Sequence, residues 1–164
     1  MAINNVWGQF FSRHPVAFAH ISGSPAYSSI KGIVGFYKSM YGVIVVAQIS
    51  GLPSGDKCAS PIFGFHIHSG ASCSGNNNDP FADTKTHYDP LGCPHPYHAG
   101  DLPPLFGAKG YAYSAVLTDR FTAEEIIGKT VVIHSSPDDF TSQPSGDAGE
   151  KIACGVIQKG TQRG

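Results

Sequence analysis

The run Ile62-Phe63-Gly64-Phe65-His66-Ile67-His68 alternates with a period of two, the pattern of a half-buried extended strand. Two imidazoles at i and i+2 of a strand leave it on one face, roughly 7 Å apart along the chain. That is close enough for both to bend onto one ion.

Upstream, the same alternation occurs in Val16–Ile21, Ile30–Tyr37 and Gly42–Ile49, each bounded by Gly, Pro or Ser. The spacers Ser22-Gly23-Ser24-Pro25 and Lys38-Ser39-Met40-Tyr41 suit hairpins, so the first half is expected to form an antiparallel meander of four strands. Downstream, Ser69 to Gly100 dissolves into Gly, Asn, Asp and Pro. Connections in compact domains usually need about 4 to 6 residues, so a segment of this length is functional or disordered.

Strand patterns resume at Gly110–Thr118, Thr130–His134 and Ile152–Ile157. Leu102–Phe106 is a poorer candidate, because Pro103 and Pro104 cannot donate to a ladder. One helical signal is present: Thr122-Ala123-Glu124-Glu125 has the form of a capping box, followed by Ile126-Ile127 and Gly128. It supports a single turn. Many short strands with Gly-rich connections predict an all-β sandwich or barrel.

Composition fits this reading and removes several classes of function. The chain has 164 residues, enough for one full hydrophobic core. Its net charge is -1 with no run of Lys or Arg, so the basic footprint that a phosphate backbone requires is missing. The longest apolar stretch, Val43–Ala47, falls far short of the roughly 20 residues of a membrane helix. The N-terminal residues show no basic segment followed by an apolar one, which points to the cytoplasm; an exported chain with its signal removed is the alternative. Only 14% of residues are charged, against 20 Gly, 12 Pro and 8 His, a balance that favours strands and turns over solvated helices.

Six of the eight histidines fall between positions 66 and 134. In the long loop, His87, His95 and His98 stand with Asp89 and Asp101 among few apolar residues. Neutral imidazoles with one carboxylate are ligands that suit zinc. The prolines around His95 stiffen the loop, which lowers the entropy lost on ordering it around an ion. His134 closes the apolar run Val131-Val132-Ile133 and precedes Asp138-Asp139; on their own these read as a polar strand end and a solvated pair.

Five motifs now stand in order: Gly64–His68, His87–Pro90, His98–Leu102, Val132–His134 and Ala148–Ile157. With them the chain resembles the Cu/Zn superoxide dismutases over about residues 15 to 158. The resemblance implies an eight-stranded Greek-key sandwich or barrel, immunoglobulin-like, over 15–164, preceded by an extension over 1–14. It implies one copper held by His66, His68, His87 and His134, and one zinc held by His87, His95, His98 and Asp101, with His87 shared. Asp138 would join the free ring nitrogens of His66 and His95. The implied reaction turns two superoxide anions and two protons into O₂ and hydrogen peroxide, with His87 taking and returning a proton.

Relatives usually place an Arg beside copper to attract the anionic substrate; here Lys151 stands there. Lys keeps the charge and loses the planar fork, so steering should persist with a modest deficit in rate. The implied disulfide joins Cys73 and Cys154 and leaves Cys58 and Cys93 to pair with each other or remain thiols. The segments His68–Cys73, His95–His98 and His134–Cys154 are shorter than in eukaryotic relatives. A monomer and a differently paired homodimer are therefore both open. A non-enzymatic copper- or zinc-holding protein on the same fold is the competing function.

Overall fold

The structure is a computed structural model describing residues 14–56 and 61–160. The extension expected over 1–14 lies outside the described residues except for His14, and so does Cys58.

Eight strands form one antiparallel sheet: β1 (Ala17–Gly23), β2 (Lys31–Ser39), β3 (Gly42–Ser50), β4 (Ile62–His68), β5 (Asp101–Phe106), β6 (Tyr111–Thr118), β7 (Thr130–His134) and β8 (Lys151–Lys159). Their order is β5-β4-β7-β8-β1-β2-β3-β6, and the edge strands β5 and β6 approach each other, so the sheet curls into a nearly closed barrel. α1 (Ala123–Ile126) is a single turn, closed by the expected reciprocal cap. The Thr122 N–H donates to Glu125 Oε2 at 2.6 Å, and the Glu125 N–H reaches Thr122 Oγ1 at 3.4 Å.

The meander holds for three strands and fails for the fourth. β1, β2 and β3 pair in succession, but the other neighbour of β3 is β6, while β4 crosses to pair with β5 and β7. Alternation shows that a segment is extended and not which segment it will pair with. The crossings β3–β4 and β6–β7 give the Greek-key connectivity. The poorer candidate at Leu102–Phe106 is a strand, and its place explains how it tolerates proline. β5 pairs with β4 alone, and its register skips from Phe63↔Leu105 to Phe65↔Leu102, leaving Pro103 and Pro104 at an irregularity beside Gly64. The Gly64 N–H donates instead to Ser136 O at 2.7 Å.

The inward set on β4 is Phe63, Phe65 and Ile67, which join Val131 and Ile133 of β7 and Ala19, Phe36 and Val45 in one buried core. Each such side chain contributes about 1.5–3 kcal/mol by leaving water, and Phe65→Ala would cost roughly 3–5 kcal/mol. The outward face of β4, β7 and β8 is also covered. The loops over 69–100 and 135–150 fold across it, so that Val132, Cys154 and Phe81 form a second buried cluster. Cys73 and Cys154 are disulfide-bonded, with Cα atoms 5.7 Å apart. The space between sheet and loops contains His66, His68, His87, His95, His98 and His134.

Candidate metal centre

Strand pairing brings the expected residues together. His66 and His68 share the outward face of β4; His66 lies opposite Asp101 of β5 and Val132 of β7. The loop strand carrying His87 bridges to His68, with the Ser69 N–H bonded to Thr86 O and the Tyr88 N–H to Ile67 O, at 2.9 and 2.8 Å. His134, at the end of β7, faces Lys151 of β8 across the ladder.

Two sets of four side chains result: His66, His68, His87 and His134 in one, and His87, His95, His98 and Asp101 in the other. All are buried, and the possible ligand atoms of each set lie within 4.8 Å of one another. His134 is thus not a mere polar strand end, nor is Asp138 solvated; burial places both at the site.

Hydrogen bonds on the outer ring nitrogens orient these imidazoles. His66 Nε2 and His95 Nε2 donate to the two oxygens of Asp138, at 2.7 and 2.9 Å. His68 Nδ1 donates to Lys85 O at 2.9 Å, and His134 Nδ1 to Gly149 O at 3.2 Å. The inner nitrogens are left with lone pairs. His66 Nδ1, His87 Nε2 and His95 Nδ1 are buried without a hydrogen-bond partner, while His68 Nε2 and His134 Nε2 sit 3.2 Å apart. Buried polar atoms are rarely left unsatisfied, and three in one place, aimed inward, fit metal ions. His87 turns Nε2 toward the first set and Nδ1 toward Asp101 Oδ1, at 2.7 Å.

Burial keeps the rings of His66, His68 and His134 neutral. Burial lowers the pKa of His66 and outweighs the pull of the Asp138 carboxylate. Burial, reinforced by His87 and His134, holds His68 far below the usual imidazole range. Burial also pushes His134 down to about 3, with His66 adding to the effect. For Asp138, burial alone would raise the pKa, but hydrogen bonds from His66, the Phe140 amide and His95 carry it well below the ordinary carboxylate value. Asp101 behaves likewise, with the bond from His87 and the rings of His95 and His98 overcoming burial. Neutral donors and ionised carboxylates are the forms that ligate metals.

A cavity of about 660 Å³ opens onto the first set between His68, His87 and His134, with Lys85, Lys129 and Lys151 on its walls. Lys151, on the wall of this cavity, has a partner the sequence did not reveal: its ammonium donates to Asp79 Oδ2 at 2.8 Å and to Phe81 O at 3.2 Å. Lys129 lies over the Tyr88 ring, 4.4 Å from its centroid. Three other supporting residues also went unread: Arg120, Gln143 and Gly146. All three lie outside the motifs read in the sequence. Among the described residues Cys93 carries no disulfide.

Comparison with known proteins agrees with this geometry. The family model for copper/zinc superoxide dismutase matches residues 30–157. The chain is similar to the protein named superoxide dismutase [Cu-Zn] from Photobacterium leiognathi, with 34% identity covering 77% of this chain and 78% of that one. It is similar at 34% to the protein of that name from Legionella pneumophila, covering 77% of each. With superoxide dismutase [Cu-Zn] 2 of Aquifex aeolicus (strain VF5) it shares 35% identity, covering 71% of this chain and 72% of that one. Matching motifs, matching fold and two convergent ligand sets meet in one chain, which belongs to the copper/zinc superoxide dismutase family.

Proposed function

We propose that this protein dismutes superoxide, converting two superoxide anions and two protons into O₂ and hydrogen peroxide, with copper held by His66, His68, His87 and His134 and zinc by His87, His95, His98 and Asp101. The observation that carries this reading is the sharing of His87 between two buried ligand sets. An all-imidazole set suits copper in both oxidation states, whereas three imidazoles and a carboxylate suit a closed tetrahedral zinc site. Copper, when bound, supplies the one-electron exchange in each half of the cycle.

The chain's own residues supply the rest. Asp138 fixes the rings of His66 and His95 through their Nε2–H groups, a hold that orients ligands and raises their basicity. His87 Nε2 is the atom at which a proton is held and passed on, since it is buried and unpartnered while Nδ1 is held by Asp101. Lysines around the opening favour the approach of a small anion. The chain acts as a monomer or as a homodimer paired otherwise than the eukaryotic one.

The test is superoxide consumption by copper- and zinc-loaded protein beside a His87→Ala control. Activity far above that of free copper, lost in the control, is the expected result. Activity no higher than free copper would overturn the proposal and leave a metal-holding protein on the same fold.

A further inference from the structure

The second ligand set takes three of its four members from the short stretch between His95 and Asp101, most of which lies in a loop. A loop does not hold such spacing by itself. The turn here has some internal closure, with the Tyr97 N–H bonded to Pro94 O at 2.8 Å and the His98 N–H to Asp101 Oδ2 at 3.1 Å. Two side chains from distant segments also reach its main chain.

Gln143, from the loop after β7, meets the backbone of His95 in both directions. The His95 N–H donates to Gln143 Oε1 at 3.0 Å, and Gln143 Nε2 donates to His95 O at 2.7 Å. Arg120, from the segment between β6 and α1, turns one nitrogen toward three carbonyls: Nη1 lies 3.0 Å from Pro96 O, 3.3 Å from His98 O and 3.3 Å from Asp101 O. A guanidinium is charged at every relevant pH, so it offsets the mutual repulsion of three converging carbonyl dipoles. These bonds go to the peptide backbone and leave the ligand atoms free.

We propose that Arg120 and Gln143 are positioning residues for the zinc-type set, presetting the spacing of His95, His98 and Asp101 before an ion enters. The inference rests on reading that set as a metal site. Geometry and charge predict opposite signs here, which makes it sharp. A cation beside the loop repels a divalent ion, so a guanidinium acting through charge alone would weaken binding, and its removal would tighten it. Preorganisation predicts that removal loosens binding.

The experiment titrates Co(II) into full-length, chelator-stripped protein and follows the visible absorption of tetrahedral cobalt, in parallel with Cu(II) binding at the first set. Arg120→Met and Gln143→Leu are expected to lower Co(II) affinity by roughly ten- to a hundredfold, the usual cost of losing a partner that orients ligands. The copper spectrum and copper affinity should not move. Arg120→Lys, which keeps one charged donor, should recover part of the loss and guards against a variant that simply fails to fold. Co(II) binding by Arg120→Met as tight as the parent's, or tighter, overturns the inference, as does an equal loss of both ions. A parent protein without the tetrahedral cobalt band instead overturns the metal-site reading and takes this inference with it.

Discussion

Lys151 Nζ lies 2.8 Å from Asp79 Oδ2, across 72 positions of sequence, so the cation beside His134 is also half of an ion pair. Beyond a Debye length such a pair exerts little net pull. Asp79→Asn leaves the ammonium uncompensated and is expected to raise the rate with superoxide about threefold at low ionic strength, with a steeper fall as salt is added. Pulse radiolysis at several salt concentrations checks this. A salt dependence identical to the parent's would place Lys151 off the substrate's path.

Lys151→Arg should raise the rate by about twofold, because a planar fork can serve both Asp79 and Phe81 O and still offer donors to a bound anion. Equal rates for the two proteins would show that the point charge alone matters.

Gly146 adopts a φ of +69°, and a Cβ there would collide with Asp138 Oδ1 and lie 2.7 Å from His95 Nε2. Gly146→Ala is therefore expected to prise Asp138 from His95, costing about 1–3 kcal/mol of stability and weakening zinc retention. Thermal unfolding combined with metal analysis after dialysis tests both; an unchanged zinc content would mean that Asp138 is not needed to orient His95.

The extent to which this site could be read in the sequence follows from how far apart its partners lie. The His66-x-His68 pair was legible because one strand fixes it, and His95, His98 and Asp101 because one loop holds them. Strand β5 was underrated, since proline penalises a central strand and the edge position could not be seen beforehand. Arg120, Gln143 and Asp79 left no local trace. They act through contacts 19 to 72 residues away, formed only when loops fold over the barrel. The pairing partner of β4 was hidden for the same reason.

The Cys73–Cys154 bridge closes a span of 81 residues. On the chain-entropy model its loss by Cys73→Ser lowers stability by up to about 4.5 kcal/mol. It also frees the loop that presents Asp79. Denaturant unfolding should show the drop, and a variant as stable as the parent would mean that the loop is secured by its packing on Val132 alone.

Protein stripped of metal should lose stability as pH falls. His134 has its pKa lowered from 6.5 to about 3, and His66 and His68 are lowered too. Between those values the unfolded chain binds protons that the folded one refuses, so stability is full above about pH 6.5 and declines toward pH 3. His134 alone accounts for several kcal/mol across that window, on the order of 1.4 kcal/mol for each pH unit of the shift. Unfolding midpoints measured from pH 7 to pH 4 check the slope; a flat profile would show that these rings take up protons without leaving their places.

The four imidazoles of the first set come from β4, from the loop at His87 and from the end of β7, and β7 is inserted between β4 and β8. A nascent chain still emerging from the ribosome therefore cannot assemble that set until His134 has been released. A messenger truncated ahead of the codon for His134 yields a product with only three of the four rings of that set.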